Sequence, residues 1–487
     1  MRPITSLSLL LPLTLAACTS EPARTVAALS TESIPCPDHE IGGTVTCYRV
    51  TVPENPALVE GRSIGLEVMV LEARAESALS DPVVVIPGGP GQSATRSVGA
   101  RGYFAEVFDP LRDERDIVLL APRGTAGSGE LALKPAPERL FDDLATVMPA
   151  SWARDARARL ERDADLTMYT TSHLVEDAEA IRAALGYAGV NIYGTSYGTR
   201  VAQLYAARYP QQVRTLILKA PVPPTAITPL TYTPGSQHAL DELFALCERQ
   251  QPCAEAYPEL ESRFETVMQR LRQDPVPLVV TNPFSGDEAE VQVDDVVFGY
   301  VLRNLMMAAR GGATVLAVID QASQGELGQL GGVLPAMRSG YATVLAGGMT
   351  LSVIGSEDAP RVTDELLEQD TRAGFLRGAV ARGMMTAAAE WPAADVPSDV
   401  YEYLEGDVPT LLVAGVFDPA TPPAFAEEIA AHLSNALVVV FPGGAHSANN
   451  FDGLGGIMEQ FVQTGSVDDL DLSAARDNRP LPLVPPR

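Results

Sequence analysis

Residues 190–209 read VNIYGTSYGTRVAQLYAARY, and this stretch decides the fold of the 487-residue chain. It joins an apolar run, VNIY, to a Gly-Thr-Ser-Tyr-Gly turn centred on Ser196 and then to a helical pattern. A G-x-S-x-G pattern alone is weak in a chain with 40 glycines. Its position between a strand and a helix makes it strong, because the sharp turn projects the serine hydroxyl and requires small neighbours. The stretch therefore predicts a buried strand that ends at a nucleophilic serine.

Eight short apolar or β-branched runs predict the strands of one sheet. They cover residues 44–52, 64–71, 83–86, 116–120, 190–193, 215–218, 410–414 and 437–441. From the third run onward they are nearly continuous apolar segments, as parallel strands buried on both faces are. The first two runs alternate more, which favours an antiparallel hairpin at the edge. Helical patterns lie between the runs, so the sequence predicts a doubly wound α/β sheet.

A long segment separates the sixth run from the seventh. It spans about 190 residues, whereas ordinary connections have about 2–6. Residues 221–407 show mostly helical patterns, which predicts a helical cap inserted between strands six and seven. The core then comprises residues 34–220 and 408–465, and residues 466–487 form a tail that lies over the surface as a strap rather than an element.

The beginning of the chain has the pattern of an export signal. After Arg2, residues 4–17 form an apolar run that is too short to span a bilayer and matches the hydrophobic part of a signal peptide. Residues 15–18 read LAAC, which resembles a bacterial lipobox. The resemblance implies a signal peptide over residues 1–17, lipidation of Cys18 and a linker over residues 18–33. We expect an exported protein, anchored by lipid to the periplasmic or outer face of the bacterial cell envelope, or secreted if Cys18 is not lipidated.

The four other cysteines lie in two close pairs. Cys36 and Cys47 form the first pair, and Cys247 and Cys253 form the second. An even number in an exported chain indicates disulfides, Cys36–Cys47 and Cys247–Cys253. A zinc site is the alternative interpretation, but no histidine stands at ligand spacing from either pair.

The net charge limits the partners of this chain. With 35 basic and 62 acidic residues, the formal charge is −27. Such a surface repels phosphate backbones and anionic lipid, so we expect no nucleic-acid partner and membrane contact only through the N-terminal anchor. We predict no cofactor and no metal. Oligomeric state is not readable from the sequence.

A serine nucleophile needs an adjacent base, and the base needs a carboxylate to orient it. Of the five histidines, only His446 follows a late strand, in the loop PGGAHS. Asp418, in VFDPATPP, stands a few residues beyond the seventh strand. The chain order Ser196, Asp418, His446 is the one expected for a nucleophile on a strand–turn–helix motif. We predict that these three residues form a catalytic triad, with Thr421 as a possible support of the aspartate loop.

Acyl transfer also needs hydrogen-bond donors for the oxyanion of the tetrahedral intermediate. One donor is expected to be the N–H of Tyr197, which follows the nucleophile. The second should come from the glycine-rich loop after the third strand, IPGGPG, where glycines let backbone amides approach the substrate. Gly89 is the first choice there and Gly88 the second.

The set PGGPGQSA, APRGTAGSG, GTSYGTR, VFDPATPP and GGAHS resembles the proline iminopeptidase and tripeptidyl aminopeptidase family of α/β-hydrolases. The segments YAARYPQQVRTLIL and ALCERQQPCAEAYPEL and the tail are similar to its secreted tripeptidyl-aminopeptidase-like branch, so the resemblance runs from about residue 36 to 486. It implies the α/β-hydrolase fold, a mostly parallel eight-stranded sheet with a large helical cap. It also implies serine hydrolysis of short peptides from a free N-terminus, with cap carboxylates that pair with the substrate amine.

Several loops depart from the family pattern. The usual Asp-Gln-Arg-Gly is APRG at residues 121–124, and the usual histidine before Gly-Gly-Pro-Gly is Pro87. The acidic residue that usually follows the sixth strand is replaced, so that residues 219–220 read Lys-Ala. The cysteine often found before Trp-Pro is absent at residues 390–392, which read EWP. None of these changes touches the triad, but they alter the loops that line the pocket.

Three functions are compatible with this sequence. The first is an aminopeptidase or tripeptidyl aminopeptidase that forms an acyl-enzyme. The second is a carboxylesterase or amidase with the same triad, because ester and amide hydrolysis share every catalytic part named above. The third is a non-catalytic lipoprotein that retains the fold for binding. Epoxide and haloalkane hydrolases are disfavoured, since they carry aspartate where this chain has Ser196.

Overall fold

Nine strands of the described part of the chain form one sheet. The computed structural model describes residues 28–39, 41–58, 60–97, 107–308, 310–343, 345–447 and 451–483. The strands are β1 Ser30–Ile34, β2 Val45–Pro53, β3 Ser63–Leu71, β4 Val83–Ile86, β5 Ile117–Leu120, β6 Val190–Thr195, β7 Val213–Lys219, β8 Val276–Thr281, β9 Glu288–Val293, β10 Thr410–Gly415 and β11 Ala436–Phe441. The large sheet has the order β1-β2-β3-β5-β4-β6-β7-β10-β11, while β8 and β9 form a separate hairpin.

All eight predicted strands are present in the large sheet. In the order of the sheet, the neighbouring strands β5, β4, β6, β7, β10 and β11 pair in parallel. The pairs β2–β3 and β3–β5 are antiparallel. The predicted count of eight is one short, because β1 adds antiparallel to β2. Its sequence, STESI, is polar and almost wholly exposed, so its residues carry no hydrophobic signal. It begins inside residues 18–33, which the sequence assigned to a linker.

The central strands are buried on both faces, as their apolar runs indicate. On β4, Val83 and Val85 pack into one hydrophobic cluster, whereas Val84 and Ile86 pack into another on the opposite face. Side chains alternate between the two faces of a strand, so each face needs its own layer of helices. Helical residues such as Phe461 cover the face of Val83 and Val85, and others such as Val201 cover the face of Val84 and Ile86. This is a three-layer α/β architecture.

The helices surround the sheet and continue into the long insertion between β7 and β10. They are α1 Ala94–Ser97, α2 Ala150–Leu160, α3 Thr171–Ala184, α4 Tyr197–Arg208, α5 Thr228–Arg249, α6 Gln251–Ala256, α7 Leu260–Gln273, α8 Asp295–Met306, α9 Gly311–Ser323, α10 Leu330–Thr343, α11 Gly347–Val353, α12 Asp364–Arg372, α13 Ala379–Ala388, α14 Pro423–Ala430, α15 Leu454–Thr464 and α16 Ser473–Asp477. A π-helical turn, Ile354–Asp358, follows α11 directly.

The insertion is helical apart from the β8–β9 hairpin, which we did not predict from the sequence. The excursion between β5 and β6 packs against it. Arg338 of α10 is fully buried and donates to the carbonyl oxygens of Leu140, Asp142 and Thr146, at 3.1, 2.8 and 2.6 Å. Residues outside 221–407 therefore contribute to the structure above the sheet.

Both predicted disulfides are present. Cys36 is bonded to Cys47, and Cys247 to Cys253. The first ties the segment after β1 to β2, and the second closes the junction of α5 and α6. The tail contains a short helix, α16, although we expected a strap without elements. Beyond it, the N–H of Leu483 donates to Gln250 Oε1 at 3.2 Å, so the tail returns to the α5–α6 junction.

Candidate active site

Ser196 stands on a sharp turn between β6 and α4. Its backbone has φ 52° and ψ −125°, a strained conformation for a residue with a side chain. Close packing enforces it. A Cβ on Gly198 would lie 2.4 Å from the carbonyl oxygen of Ile86, and one on Gly194 would lie 2.7 Å from the carbonyl oxygen of Gly198. Both glycines of the G-x-S-x-G motif are therefore required by contact between helix and strand, and the turn projects the Ser196 hydroxyl beyond the sheet.

Asp418 and His446 meet beyond the ends of β10 and β11. The His446 Nδ1 atom lies 2.9 Å from Asp418 Oδ2 and 3.0 Å from Oδ1. Asp418 is fully buried, and it also accepts hydrogen bonds from the N–H groups of Ala420 and Thr421, each at 2.8 Å, and from Thr421 Oγ1 at 2.7 Å. Thr421 thus supports the aspartate directly.

The surroundings of Asp418 keep it ionised. Burial by itself would raise the pKa of this carboxyl, because the charged form loses water. The interactions with His446 and the hydrogen bonds from Thr421 outweigh that effect, and the pKa of Asp418 lies below its ordinary value. A carboxylate that stays charged next to Nδ1 fixes the tautomer of the imidazole, so the Nε2 atom is left to accept a proton.

The predicted oxyanion donors lie next to Ser196. Tyr197 is the first residue of α4, where backbone N–H groups have no partner within the helix. Gly89 has a positive φ of 113° and lines the same cavity as Ser196. Gly88 packs against Ser196, since a Cβ there would lie 3.0 Å from Ser196 Cβ. Of the two glycines, Gly89 faces the cavity.

Ser196 and His446 line one cavity of about 560 Å³ beneath the insertion. This volume lies in the range of roughly 300–1,000 Å³ found for small-molecule sites. The insertion contributes residues of α5, α8, α10, α11, α13, the π-helical turn and the loops that follow α8 and α10, namely Thr228, Tyr232, Arg303, Met307, Tyr341, Leu345, Thr350, Ile354 and Met384. Most of the wall is apolar. Among the residues that the structure describes, no aspartate or glutamate lines it.

Lys219, at the end of β7, also lines the cavity. Its ammonium group donates to the carbonyl oxygen of His446 and lies 4.6 Å from the centre of the Phe451 ring. Only 1% of the residue is exposed. Burial lowers the pKa of Lys219 to about 8, although Asp418 acts in the opposite direction. Lys219 departs from the acidic residue that is usual in the family at this position. The family pattern does not indicate that the lysine holds the histidine loop.

Two family models match the chain. One, described as the alpha/beta hydrolase fold, matches residues 81–275, which include the Ser196 turn and the Gly88–Gly89 loop. The other, described as TAP-like protein, matches residues 375–474, which include Asp418 and His446. This chain has the α/β-hydrolase fold.

The α/β hydrolase is similar to three groups of peptidases. It is 25% identical over 461 residues to serine protease Hip1 of Mycobacterium tuberculosis, and this alignment covers 85% of each chain. It is 28% identical to tripeptidyl aminopeptidase of Streptomyces lividans over 39% of this chain and 37% of that protein. It is 32% identical to a probable proline iminopeptidase of Streptomyces coelicolor over 28% of this chain and 32% of that protein. These similarities confirm the family resemblance carried by the sequence motifs.

Two buried carboxylates of the insertion lie behind the nucleophile helix of this α/β hydrolase. Glu357 accepts from the N–H and the hydroxyl of Thr171, each at 2.7 Å, and so caps the beginning of α3. The Arg200 guanidinium lies 3.3 Å from Asp358 and 3.8 Å from Glu357. Burial raises the pKa of Glu357, against the effect of Arg200. Glu357 is thus engaged by α3 and α4, and Asp358 by Arg200, Arg361 and the N–H of Thr228. Sequence patterns do not show these roles.

Other predictions on this chain concern the membrane and metals. Cys18 lies outside the described residues, so its lipidation stays a prediction. Within the described ranges, no helix has the length and apolar character needed to cross a membrane. In the same ranges, no cluster of histidine, cysteine, aspartate and glutamate has the composition of a metal site.

Proposed function

We propose that this α/β hydrolase is a serine peptidase that cleaves short peptides from their free N-terminus through an acyl-enzyme. The observation that carries the proposal is the coupling of His446 Nδ1 to a buried, ionised Asp418 at 2.9 Å, in the wall of the cavity where the strained Ser196 turn ends. The names of the relatives support a peptide substrate. The N-terminal mode of cleavage is supported by the similarity to tripeptidyl aminopeptidase and proline iminopeptidase.

Each residue then has a defined role. His446 accepts the proton of the Ser196 hydroxyl at Nε2, and Ser196 Oγ attacks the carbonyl carbon of the scissile bond. The N–H groups of Tyr197 and Gly89 donate to the oxyanion, with Gly88 holding the loop against the nucleophile. His446 gives its proton to the leaving amine and next removes one from the water that hydrolyses the acyl-enzyme. Asp418 stays ionised and stabilises the imidazolium.

Labelling by a fluorophosphonate probe tests the nucleophile. The wild-type protein should be labelled and Ser196→Ala should not. Thr195→Ser provides a matched control, because it changes the adjacent cavity residue and retains Ser196. Equal labelling of wild type and Ser196→Ala would remove Ser196 from the mechanism.

Blocking the substrate amine tests the N-terminal mode. A library of fluorogenic peptides is assayed with free and with acetylated N-termini. An enzyme that reads the free amine should lose most of its kcat/KM on the acetylated series. If both series are hydrolysed equally, cleavage does not depend on the N-terminus, and an endopeptidase or esterase replaces the exopeptidase.

A carboxylesterase or amidase is the second candidate, and one observation favours it. In the described part of the cavity wall no carboxylate is available to meet an ammonium group, and the buried Glu357 and Asp358 are engaged by Thr171 and Arg200. Matched substrates with one acyl group, as ester, anilide and peptide, distinguish the two candidates. A peptidase should accept the peptide at a rate comparable with the anilide, whereas an esterase should hydrolyse only the ester.

The location of the protein is part of the proposal. We infer that residues 221–407 cover the active site as a cap and that the mature chain is anchored by a lipid on Cys18. The lipobox-like LAAC and the two disulfides, which suit an oxidising compartment, support export. Membrane fractionation with intact-mass analysis tests the anchor: Cys18→Ala should move the protein to the soluble fraction without the mass of acyl chains. An unchanged distribution would contradict lipidation.

A further inference from the structure

Arg303 of α8 is a buried cation in the wall of the active-site cavity. Only 3% of the residue is exposed. No hydrogen bond and no ion pair to its guanidinium is found in the described ranges, and its Nε atom is fully buried without a partner. Burying a charge without a partner is unfavourable, so such a group in a cavity wall points to a ligand.

Two other buried arginines of this chain, Arg123 and Arg338, donate several hydrogen bonds to the protein. Arg123 makes two hydrogen bonds of 2.7 Å to Asp177 and two more to carbonyl oxygens. Arg338 donates to three carbonyl oxygens. Both hold segments of the fold together. Arg303 differs from them because it bonds to nothing in the described protein and faces the cavity that contains Ser196.

The stacking of Arg303 leaves its donors free for a ligand. The guanidinium carbon lies 4.1 Å from the centre of the Tyr232 ring, so the ring covers one face of the group. The N–H donors of a guanidinium lie in its plane, and a stacked ring does not occupy them. This planar fork matches the two oxygens of a carboxylate, which it binds through parallel hydrogen bonds.

The charges around the cavity also favour an anion. Lys219 is the second cation of the wall, and it donates to the His446 carbonyl oxygen rather than to a carboxylate. No acidic residue lines the cavity in the ranges described. Glu357 and Asp358, the buried carboxylates of the π-helical turn, are held by Arg200 and the beginning of α3. The wall thus carries positive charge that a substrate can neutralise.

We propose that Arg303 binds a carboxylate of the substrate, and that the enzyme therefore prefers substrates with a negative charge in the part of the molecule that enters the cavity. This inference rests on the proposed function in taking the substrate as a short peptide. In a peptide the carboxylate comes either from an acidic side chain or from the C-terminus. Arg303 is a specificity-determining residue, and the reaction itself is carried by Ser196, Asp418 and His446.

Two series of matched peptides test the proposal on the full-length enzyme. The first varies Glu against Gln at each position around the scissile bond, and the second varies a free C-terminus against an amide. The wild type should favour the charged member of at least one pair by roughly 10- to 100-fold in kcat/KM, the range expected for a hydrogen-bonded charge. A preference for Glu assigns the carboxylate to a side chain, and a preference for the free acid assigns it to the C-terminus.

Substitution of Arg303 connects the preference to this residue. Arg303→Met should abolish the preference while it leaves hydrolysis of the neutral member in place, and Arg303→Lys should restore part of it. The matched control is Arg272→Met on α7, which removes the same charge outside the cavity, where Asp295 keeps Arg377 as a partner. That control should retain the wild-type preference. Arg303→Met should also melt no lower than wild type, whereas Arg338→Met should melt lower, because only Arg338 bonds to the protein.

A pair of 4-nitrophenyl esters, with and without a terminal carboxylate on the acyl chain, separates this inference from the proposed function. If no peptide is hydrolysed but the charged ester is preferred in an Arg303-dependent manner, the peptidase proposal fails and the role of Arg303 stands. Equal rates on charged and neutral members of all pairs by the wild type would overturn the role of Arg303. A preference that survives in Arg303→Met would overturn it as well.

Discussion

A single carboxylate, Asp418, shows how the site handles burial at the scale of residues. It is fully buried, yet His446 and Thr421 hold its pKa below the ordinary range. The ionised form is therefore the one that the fold stabilises. In the proposed mechanism the histidine is therefore oriented by a permanent negative charge, and no proton transfer to Asp418 is needed.

Replacement of that charge should be severe for activity. We expect Asp418→Asn to lower kcat by roughly 10³–10⁴-fold, because an amide can present the wrong tautomer of His446 and cannot stabilise the imidazolium. Steady-state kinetics on the best fluorogenic substrate measures it, with circular dichroism to verify the fold. Thr421→Val is the matched comparison: its backbone N–H still donates to Asp418, so its loss should be smaller. Similar activity of Asp418→Asn and wild type would contradict the role of Asp418.

Lys219 should make stability depend on alkaline pH. Its pKa is about 8 in the folded protein, against 10.5 for an ordinary lysine, because it is buried. Between these values the unfolded chain binds more protons than the folded one, so stability rises with pH. Relative to Lys219→Met, the free energy of unfolding of wild type should increase by up to about 3 kcal/mol across this window. Urea titrations at both ends measure it, and parallel changes in the two proteins would contradict it.

The sequence predicts some site residues better than others for a physical reason. Asp418 and His446 follow apolar strands, and parallel strands end at one edge of the sheet, so their meeting could be predicted. Arg303 lies in DVVFGYVLRNLM, where a charged residue between apolar residues is typical of a solvent-facing position. Whether Arg303 finds a hydrogen-bond partner depends on which helices pack above it, and no local sequence pattern contains that information.

At the scale of elements, the close packing of the strand–turn–helix unit around Ser196 depends on glycines, which have no Cβ. Gly198→Ala would bring a methyl group within 2.4 Å of the Ile86 carbonyl oxygen. Because backbone cannot yield as a side chain can, we expect a loss of about 1–3 kcal/mol in stability and a displaced nucleophile with little activity. Thermal denaturation and active-site titration measure the two effects.

Gly340→Ala on α10 is the control for that experiment. A Cβ at Gly340 has no neighbour within 4 Å, and alanine favours a helix over glycine. It should leave activity unchanged and raise stability slightly. Equal stability and activity of Gly198→Ala and wild type would contradict the close contact of α4 with β4.

Elements were predictable where burial imposes a pattern. The runs that became β4, β6, β7 and β10 are apolar on both faces, and the sheet contains each of them. The polar strand β1 was not predicted, because an exposed strand is held by backbone hydrogen bonds that leave no signature in side chains. The β8–β9 hairpin was not predicted either, although β8 reads VPLVVT. The same limit applies to α16, which is only five residues long.

For the molecule as a whole, Arg200 joins the insertion to the core. It is buried on the nucleophile helix between Glu357 and Asp358. Arg200→Met would leave two neighbouring buried carboxylates with less compensation, although Arg361 still lies 3.0 Å from Asp358. We expect a loss of about 3–5 kcal/mol in the free energy of unfolding, measured by chemical denaturation.

An exposed ion pair between the same two regions gives the contrast. Arg154 of α2 lies 2.7 Å from Glu390, and both side chains are open to solvent. Arg154→Met should leave the melting temperature unchanged, since exposed pairs contribute little. If both variants melt like wild type, Arg200 does not hold the insertion in place.

If Cys18 is lipidated as proposed, the pairing of β1 with β2 limits how far the enzyme can move from the membrane. Ser30 already belongs to the sheet, so about a dozen residues would link it to a lipid on Cys18. Fully extended, this linker spans at most about 40 Å. A catalytic domain on so short a linker would reach only a thin layer of solution next to the membrane. Its peptides would have to arrive at that layer, and the flux through the enzyme would follow the area of envelope surface rather than the volume of the compartment.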